Sequence, residues 1–436
     1  MIGLARSGRA AARWLSGHGI AVYASDAADT PAVRDVAATL SGLGVAVDVG
    51  HHDLDRIRGA TAVVVSPGVP PDAPPLAAAR DAGVEIVAEL DLGARALQRS
   101  KLIVVTGTNG KSTTTALVAH VLASGGVRAE SAGNIGRPLI ELATGTAPEW
   151  IAVEASSFQL HDAPHLAPAI GVLTNLAPDH LDRYPSAQAY YEDKRLLFRN
   201  ADDDATWVLN GDDEAVLELA AGVRGSRALF RLAGPADAWL DRAAQQLMLG
   251  QRPLLPRGAL PLLGDHNVAN ALAAALAAQA AGMPPETIAR GLAAFHPLRH
   301  RLEPVREVRG VVWINDSKAT NVAAAGCALR AVTRPIVLIA GGRDKGEPFS
   351  FLTPLIRQRC RAVVAYGEAR AALSRDLKAA APELVCVESF DVAVREAGRL
   401  ARDGDAVLLA PACASFDQFA NYEARGDRFR ALVEAL

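Results

Sequence analysis

One glycine-rich segment has the residue types of a loop that binds nucleotide phosphates. An apolar run at residues 102–105 predicts a buried strand, and a helix-like segment follows it. Between them lie Gly107, Thr108, Asn109, Gly110, Lys111, Ser112 and Thr113. Glycines let backbone N–H groups approach phosphate oxygens, and a helix N-terminus favours anions. Lys111 would bridge the phosphates and the Ser112 hydroxyl would hold Mg²⁺, although the spacing between Gly107 and Gly110 is shorter than in the usual pattern.

Three further residues stand out as candidates for chemistry. Glu154 follows an apolar run at 151–153, and a carboxylate there suits Mg²⁺, which prefers oxygen; a helix cap is the alternative. His180, flanked by carboxylates, could be a metal ligand, a base or a structural histidine. Lys194 lies in a mixed-charge helical segment, where its residues alone favour a solvated lysine. Ligands bind beyond the carboxyl ends of parallel strands, so we expect the chemistry at strand ends such as 107 and 154.

Composition places the chain among ordinary globular proteins. It has 436 residues, half of them hydrophobic and 21% charged, with a net charge of −3. This balance argues against a general nucleic-acid binder, which would carry a basic surplus. The four cysteines show no metal-ligand spacing and read as reduced thiols. No apolar stretch is long enough to span a bilayer and no signal peptide begins the chain, so we expect no membrane insertion and a cytoplasmic protein.

Short β-branched runs alternate with alanine-rich helical stretches, which predicts an α/β fold with parallel sheets. We divide the chain into three domains at 1–98, 99–302 and 303–436. The predicted strands are 20–23, 62–65 and 85–87 in the first, 102–105, 151–153, 170–173 and 207–209 in the second, and 311–314, 336–339, 362–365 and 406–409 in the third. Residues 205–262 carry a weak signal for an antiparallel addition.

The start of the chain carries a second glycine turn, from Gly3 to Gly8. Such a turn belongs at the carboxyl end of a strand, and only two residues precede it here. A strand normally has about five residues. We therefore expect the first strand to be truncated, the natural start to lie earlier, and residues 1–98 to form the least stable domain with weakened ligand binding.

The loop at 107–113, the segment 313–321 and the segment 411–419 together resemble the Mur ligases, over essentially the whole chain. Several blocks resemble the D-glutamate-adding member in particular. The resemblance implies a Rossmann-like N-terminal domain that binds the UDP substrate, a central P-loop-type ATPase domain and a Rossmann-like C-terminal domain that binds the amino acid. It implies ATP-dependent amide formation through an acyl phosphate, which joins D-glutamate to UDP-N-acetylmuramoyl-L-alanine in peptidoglycan precursor synthesis. We expect the protein to act as a monomer.

The resemblance also implies roles for individual residues. Catalysis would involve Lys111, His180 and Lys194, the last carbamylated by CO₂. Two Mg²⁺ ions would be held by Ser112, Glu154, His180 and Lys194. Besides the loop, ATP would be bound by Asn267, Asn270, Arg301 and Asp316. The substrates would be bound by Ser7, Asp26, Asn134, Ser156, Lys318, Thr320, Lys345, Ser415 and Tyr422, the last standing where the family pattern has Phe.

Three alternatives remain open from the sequence. The chain could be another amide ligase of the same superfamily with a different amino acid. It could be a non-catalytic protein that binds a UDP-sugar, although such a protein would have no use for Lys111, Glu154, His180 and Lys194 together. The turn at 3–8 could bind NAD, which the ATP-type loop in the next domain disfavours.

Overall fold

The computed structural model describes residues 1–180 and 183–436. It divides into two compact units. The first comprises Met1–Leu260 and Val268–Phe295, and the second comprises Pro261–Asn267 and His296–Leu436.

The strands of the first unit are β1 (Tyr23–Asp26), β2 (Ala46–Val49), β3 (Ala62–Val65), β4 (Glu85–Ala88), β5 (Lys101–Thr106), β6 (Ala129–Gly133), β7 (Trp150–Glu154), β8 (Ile170–Leu173), β9 (Thr206–Asn210), β10 (Ser226–Arg231), β11 (Ala238–Asp241), β12 (Gln246–Leu249) and β13 (Arg252–Pro256). Its helices are α1 (Arg6–Gly17), α2 (Pro31–Ser41), α3 (Leu54–Arg58), α4 (Pro74–Asp81), α5 (Glu89–Ala96), α6 (Lys111–Ser124), α7 (Ser157–His161), α8 (Ala187–Arg195), α9 (Glu214–Leu219) and α11 (Pro285–Ala293). Helix α10 (Asp265–Ala280) contains the division between the units.

The second unit has strands β14 (Glu303–Val308), β15 (Val311–Asn315), β16 (Ile336–Gly341), β17 (Cys360–Tyr366), β18 (Leu384–Cys386) and β19 (Ala406–Leu409). Its helices are α12 (Val322–Ala331), α13 (Thr353–Arg359), α14 (Arg370–Leu377), α15 (Phe390–Leu400) and α16 (Tyr422–Glu434). Short 3₁₀ helices span Leu139–Thr144, Leu196–Phe198, Arg257–Ala259 and Phe349–Leu352.

A nine-stranded sheet forms the centre of the first unit, in the order β13-β12-β11-β10-β9-β8-β5-β7-β6. Strand β5 pairs in parallel with both β7 and β8 and is buried from Leu102 onward, because helices cover both faces of such a sheet. Strands β9 to β11 continue the parallel arrangement, and the antiparallel pairs are β11–β12 and β12–β13. The antiparallel addition expected at 205–262 is therefore confined to its last part.

The first residues of the chain lie between the parallel pairs β1–β2 and β3–β4. Ile2 forms parallel bridges with Ser25 and Val65, and the Gly3 N–H donates to the Ser25 carbonyl at 2.8 Å. These residues thus occupy the position of a strand between β1 and β3, so the neighbouring strands have partners at this point. The expectations about the natural start and the stability of residues 1–98 stay predictions.

Strand β1 differs from its predicted range of 20–23. The Ile20 N–H donates to the Leu15 carbonyl at 3.1 Å, which keeps residues 18–20 at the end of α1, and half of the Ile20 side chain is exposed. The strand consequently begins only at Tyr23, because the chain must first leave the helix.

A six-stranded sheet forms the second unit, in the order β14-β15-β19-β16-β17-β18. Only its β14–β15 pair is antiparallel among the pairs described. Clusters of buried apolar side chains lie on both faces of this sheet, which matches the continuous apolar runs of its strands. None of the helices in the described ranges is long and apolar enough to cross a membrane.

Candidate active site

The glycine-rich loop adopts a backbone that requires its two glycines. Gly107 and Gly110 have φ of 138° and 85°, and a Cβ at either position would lie 2.0 Å from Thr174 Oγ1 or 2.3 Å from Asn270 Oδ1. The loop is fixed by Asn175 at the end of β8: its carbonyl accepts from the Thr108 N–H at 2.8 Å and its side chain accepts from the Asn109 N–H at 2.9 Å. Helix α6 begins immediately afterwards, so its N-terminus faces the loop, an arrangement suited to phosphate binding.

Two lysines meet at the carbonyl of Gly107. Lys111 Nζ donates to the Gly107 carbonyl at 2.9 Å and to the Thr108 carbonyl at 2.7 Å, while Lys194 Nζ donates to the Gly107 carbonyl at 2.8 Å. The Lys194 side chain is almost completely buried. Burial lowers the pKa of Lys194 well below its ordinary value, and the Lys111 charge lowers it further. The solvated lysine that the residues alone favoured is therefore wrong for position 194.

Glu154 lies at the end of β7 and is buried. One carboxylate oxygen accepts from the Asn134 side-chain amide at 2.9 Å, and the other, Oε2, has no hydrogen-bond partner among the described residues. Glu154 is thus not a helix cap; Ser156 caps α7 instead, in a capping box with Gln159. A buried carboxylate oxygen without a partner suits a hard cation.

His180 is partly exposed and has a positive φ of 54°. Its ring meets the edge of Phe158 at 5.2 Å and of Tyr190 at 6.0 Å between centroids, and Lys194 Nζ lies 4.5 Å from the Tyr190 ring centroid. Tyr190 therefore links His180 to Lys194. Residues 181 and 182, which supply one of the carboxylates flanking His180 in sequence, lie outside the described ranges. Across residues 1–180 and 183–436, no three His, Cys, Asp or Glu side chains group as a metal site by themselves.

Sequence reasoning missed Tyr190 and the residues of a cavity beside it. Tyr190 precedes Lys194 by one helical turn on α8, and this spacing was the available signal. The cavity has a volume of about 200 Å³ and is lined by Ser66, Phe158, Gln159, Arg183 and Asp193 among others. It borders both the capping segment of α7 and the helix that carries Lys194.

The N-terminal turn is in contact with the side chain of Asp26. One Asp26 carboxylate oxygen accepts from the Leu4 N–H at 2.7 Å and the other from the Ala28 N–H at 2.9 Å. Ser7 lies in the first turn of α1, whose N-cap makes no side-chain hydrogen bond. The turn thus presents a helix N-terminus with backbone donors suited to an anion.

In the second unit, Arg301 and Asp316 are close. Burial raises the pKa of the Asp316 carboxyl to about 7, while the N–H of Leu302 and the charge of Arg301 act in the opposite direction. The Leu302 N–H donates to Asp316 Oδ1 at 3.1 Å. Asn267 donates to the Leu263 carbonyl at 2.8 Å. In the first unit, Asn270 accepts from the Thr114 hydroxyl at 3.3 Å and borders Gly110, so it lies at the phosphate loop.

The remaining predicted substrate residues lie on neighbouring loops of the second unit. The backbone of Arg343 exchanges two hydrogen bonds with Ala414, which places the loop of Lys345 beside that of Ser415. The Ala412 N–H donates to the Ala319 carbonyl at 2.9 Å, next to Thr320. Lys318 Nζ lies 3.9 Å from the centroid of the Tyr422 ring, a cation–π contact. The structure therefore brings these residues together at one edge of the sheet.

Comparison with protein families supports this organisation. Residues 1–88 match the description "Mur ligase MurD-like, N-terminal domain", residues 105–278 match "Mur ligase middle domain", and residues 300–413 match "Mur ligase, glutamate ligase domain". The chain belongs to the Mur ligase family, a class of three-domain α/β amide ligases that use ATP.

Relatives within this family extend over the full length of the chain. One from Gloeobacter violaceus is 43% identical and covers 100% of this chain and 98% of its own length. Others from Myxococcus xanthus and Acidobacterium capsulatum are 42% and 41% identical, cover 100% of this chain, and match over 98% and 95% of their own lengths. All three relatives are UDP-N-acetylmuramoylalanine–D-glutamate ligases.

Solved structures share the fold at lower identity. UDP-N-acetylmuramate-alanine ligase from Thermotoga maritima has a TM-score of 0.64 at 22% identity, and a pseudomurein peptide ligase type C from Methanothermus fervidus has 0.61 at 20%. Each matches 100% of this chain and 98% of its own chain. The predicted α/β fold with three domains is confirmed; the boundaries at 98/99 and 302/303 stay predictions.

Proposed function

We propose that this chain joins D-glutamate to UDP-N-acetylmuramoyl-L-alanine, with conversion of ATP to ADP and phosphate. The observation that carries the proposal is the full-length identity of about 40% to ligases named for this reaction. The phosphate loop and the buried charged groups around it supply the chemistry that such a reaction needs. An NAD-binding role for residues 3–8 has no comparable support.

In the first step, the substrate carboxylate attacks the γ-phosphorus of ATP, an acyl phosphate forms and ADP leaves. The backbone N–H groups of the loop and the N-terminus of α6 would bind the phosphates. Lys111 donates to two carbonyls of its own loop in this structure; with ATP bound, its ammonium group would donate to the phosphates and offset their negative charge. Holding both reactants in line and stabilising the transferred charge accounts for most of the rate gain in phosphoryl transfer.

The residues around the loop also fit Mg²⁺. Glu154 offers a buried carboxylate oxygen without a partner among the described residues, and Ser112 lies buried at the start of α6. Mg²⁺ is commonly held by one or two carboxylates together with substrate phosphates, so a cluster of three protein carboxylates or imidazoles is not required. Bound there, Mg²⁺ would neutralise phosphate charge; we propose two ions, with His180 and Lys194 as further ligands.

We further propose that Lys194 is carbamylated. Burial lowers the pKa of Lys194 and so favours the neutral amine, which is the form that attacks CO₂. The new N–C bond gives a carbamate anion and releases one proton. The carbamate anion would also attract the Lys111 cation, because both side chains reach the same carbonyl of Gly107.

In the second step, the amine of D-glutamate attacks the acyl carbon, and the tetrahedral intermediate releases phosphate to give the amide. The loops of the second unit support amino-acid binding. Lys345 and Thr320 would hold the α-carboxylate, and Ser415 with Tyr422 would hold the side-chain carboxylate. The UDP part of the other substrate would bind at the turn of Ser7 with Asp26, and its sugar near Asn134 and Ser156; Lys318 would assist in the second unit.

We propose that the enzyme acts as a monomer in the cytoplasm, where ATP and UDP-linked precursors occur. Each proposed contact comes from the same chain, and its net charge of −3 gives no reason to expect a nucleic-acid partner.

Phosphate release measured with purified UDP-N-acetylmuramoyl-L-alanine and a panel of amino acids tests the proposal. Release that depends on ATP, the UDP substrate and D-glutamate is expected. Release with another amino acid would indicate a different ligase of the superfamily, and none with any amino acid would indicate a binding protein.

A further inference from the structure

Arg425 is a completely buried arginine in the second turn of α16. All three nitrogens of its guanidinium donate hydrogen bonds. Nε donates to Ser317 Oγ at 2.9 Å and Nη2 to the Ser317 carbonyl at 2.8 Å. Nη1 donates to the carbonyls of Cys413 at 3.2 Å and Ala414 at 3.4 Å, and to the Tyr366 hydroxyl at 3.3 Å. The side chain is thus held from several directions.

The acceptors belong to neighbouring strands of one sheet. Ser317 follows β15, Cys413 and Ala414 follow β19, and Tyr366 ends β17. Strand β16 lies between β19 and β17, and a Cβ at Gly342, just past its end, would lie 3.2 Å from Arg425 Nη1. One guanidinium therefore meets the ends of four adjacent strands. Its rigid fork of donors suits it to fix several carbonyls at once.

These loops also carry the residues that we assign to the amino acid. Lys318 and Thr320 follow Ser317, Ser415 follows Ala414, and Tyr422 begins the helix of Arg425. The Ser317 hydroxyl in turn donates to the Tyr422 carbonyl at 2.8 Å. A shift of the guanidinium would consequently be transmitted to both carboxylate-binding regions.

The acceptors of Arg425 are all neutral. Throughout the ranges that the structure describes, the guanidinium bonds to carbonyls and hydroxyls and forms no ion pair with a carboxylate. An arginine stays charged in proteins, and a buried charge without a counter-charge is unfavourable. An anionic ligand bound nearby would reduce that cost, more so a ligand with two carboxylates.

We propose that Arg425 is a positioning residue for the acidic amino acid: it fixes the loops of Ser317 and Ser415, and its buried charge favours a dicarboxylate there. The proposal rests on the proposed function, because it takes D-glutamate as the amino acid. It assigns Arg425 no contact with the substrate.

The test compares Arg425→Met and Arg425→Lys with the unaltered enzyme in steady-state assays. For Arg425→Met we expect the KM for D-glutamate to rise roughly tenfold or more, because the variant loses the buried positive charge that favours a dicarboxylate. The KM values for ATP and the UDP substrate should stay within about threefold. Arg425→Lys keeps the charge but loses the fork, so it should restore part of the D-glutamate KM.

Arg428→Met is the matched control, because Arg428 lies on the same helix, is half exposed and pairs with Asp391. It should leave all three KM values unchanged. Should Arg425→Met fail to fold, Ser317→Ala removes a single acceptor and should raise the KM for D-glutamate alone.

The proposal would be overturned if all three KM values rose equally in Arg425→Met, or if the KM for D-glutamate in Arg425→Lys were no lower than in Arg425→Met. Arg425 would then be a purely structural residue. In the fallback, an unchanged D-glutamate KM in Ser317→Ala would do the same. Absence of D-glutamate turnover by the unaltered enzyme would instead refute the proposed function, so the two failures are distinguishable.

Discussion

The lysine pair at the phosphate loop is the feature in which single residues matter most. Lys111 and Lys194 both donate to the carbonyl of Gly107, at 2.9 Å and 2.8 Å. The buried member has the lowered pKa, and burial is the largest cause. Burial thus favours the neutral amine at Lys194 relative to an exposed lysine, and we propose that Lys194 carries the carbamate while Lys111 offsets phosphate charge.

Lys111→Ala should abolish turnover while leaving the fold intact, because Lys111 is a partly buried first residue of α6 and its loss removes phosphate charge compensation. The measurement is ADP release, with melting temperature and near-ultraviolet circular dichroism as the check on folding. Ordinary ADP release by a folded Lys111→Ala protein would refute the role of the loop.

Lys194→Ala should lose activity, and short carboxylates such as acetate should restore part of it, because the required group is an anion built on the lysine. Lys194→Arg should stay inactive, since its guanidinium does not form the carbamate. Activity is measured with and without added acetate. An active arginine variant would exclude the carbamate. So would an unaltered enzyme whose activity does not change when CO₂ is removed from the buffer.

At this scale the sequence predicts residues that follow strands and fails for contacts between distant segments. Glu154 is predictable because it directly follows an apolar run, and the loop glycines because they come within five residues of the end of one. The burial of Lys194 was not predicted, since a mixed-charge helix gives no sign of which lysine points inward. Arg425 also lies in a mixed-charge helix. Its role depends on acceptors distant in sequence, namely Ser317, Tyr366 and the carbonyls of two residues in another loop, and the sequence does not reveal these contacts.

Among the elements, α5 shows how a buried carboxyl makes local stability depend on pH. Glu89 at its first position is buried, and its Oε1 accepts from the Ile140 N–H at 2.8 Å. Burial raises the pKa of Glu89 to about 7 from an ordinary 4.5, with the Ile140 N–H opposing the shift. The neutral carboxyl thus stabilises the fold below about pH 4.5, and this contribution is lost as the pH rises through 7.

Glu89→Gln should remove this dependence. The stability difference, Gln variant minus unaltered protein, should therefore be more positive at pH 8 than at pH 5, by at most about 3 kcal/mol. Thermal melts of both proteins at the two pH values measure it. Glu149→Gln, which changes an exposed carboxylate, is the control and should show no such trend. An equal difference at both pH values would contradict the assignment.

Elements were predictable where their sequence is uniformly apolar. Strands β3, β8 and β19 have the predicted bounds. Strands β5 and β7 are one residue longer than predicted at each end, and β15 is one residue longer at its C-terminal end. Strand β2 was missed because none of its residues is fully buried, so it lacks an apolar run. Hydrophobic periodicity in a sequence arises from burial of one face of an element. Short, partly exposed strands bury few side chains and therefore show little periodicity.

In the whole molecule, we assign phosphate binding and amino-acid binding to different units. The phosphate loop lies in the first unit, and the loops assigned to the amino acid lie in the second. The sequence predicts this separation from strand-end motifs and from its resemblance to the Mur ligases. The domain boundaries are less accessible to it, because no linker of distinct composition marks them.

Lys345→Ala tests this separation. Loss of a charge-assisted hydrogen bond to a carboxylate should raise the KM for D-glutamate by roughly ten- to a hundredfold, with a far smaller effect on the KM for ATP. Arg343→Ala on the same loop, whose side chain pairs with Glu368, serves as the comparison. Equal changes in both KM values for Lys345→Ala would assign Lys345 to the nucleotide instead.

The central claim is that this chain adds D-glutamate, and a competition assay tests it most directly. The purified protein is supplied with ATP, Mg²⁺, UDP-N-acetylmuramoyl-L-alanine and an equimolar mixture of D- and L-amino acids, and the UDP-linked product is identified by mass spectrometry with chiral analysis of the added residue. We expect a single product extended by one D-glutamyl residue. A product that carries a different amino acid would contradict the claim. So would recovery of only the unextended UDP substrate when the enzyme is shown to be folded.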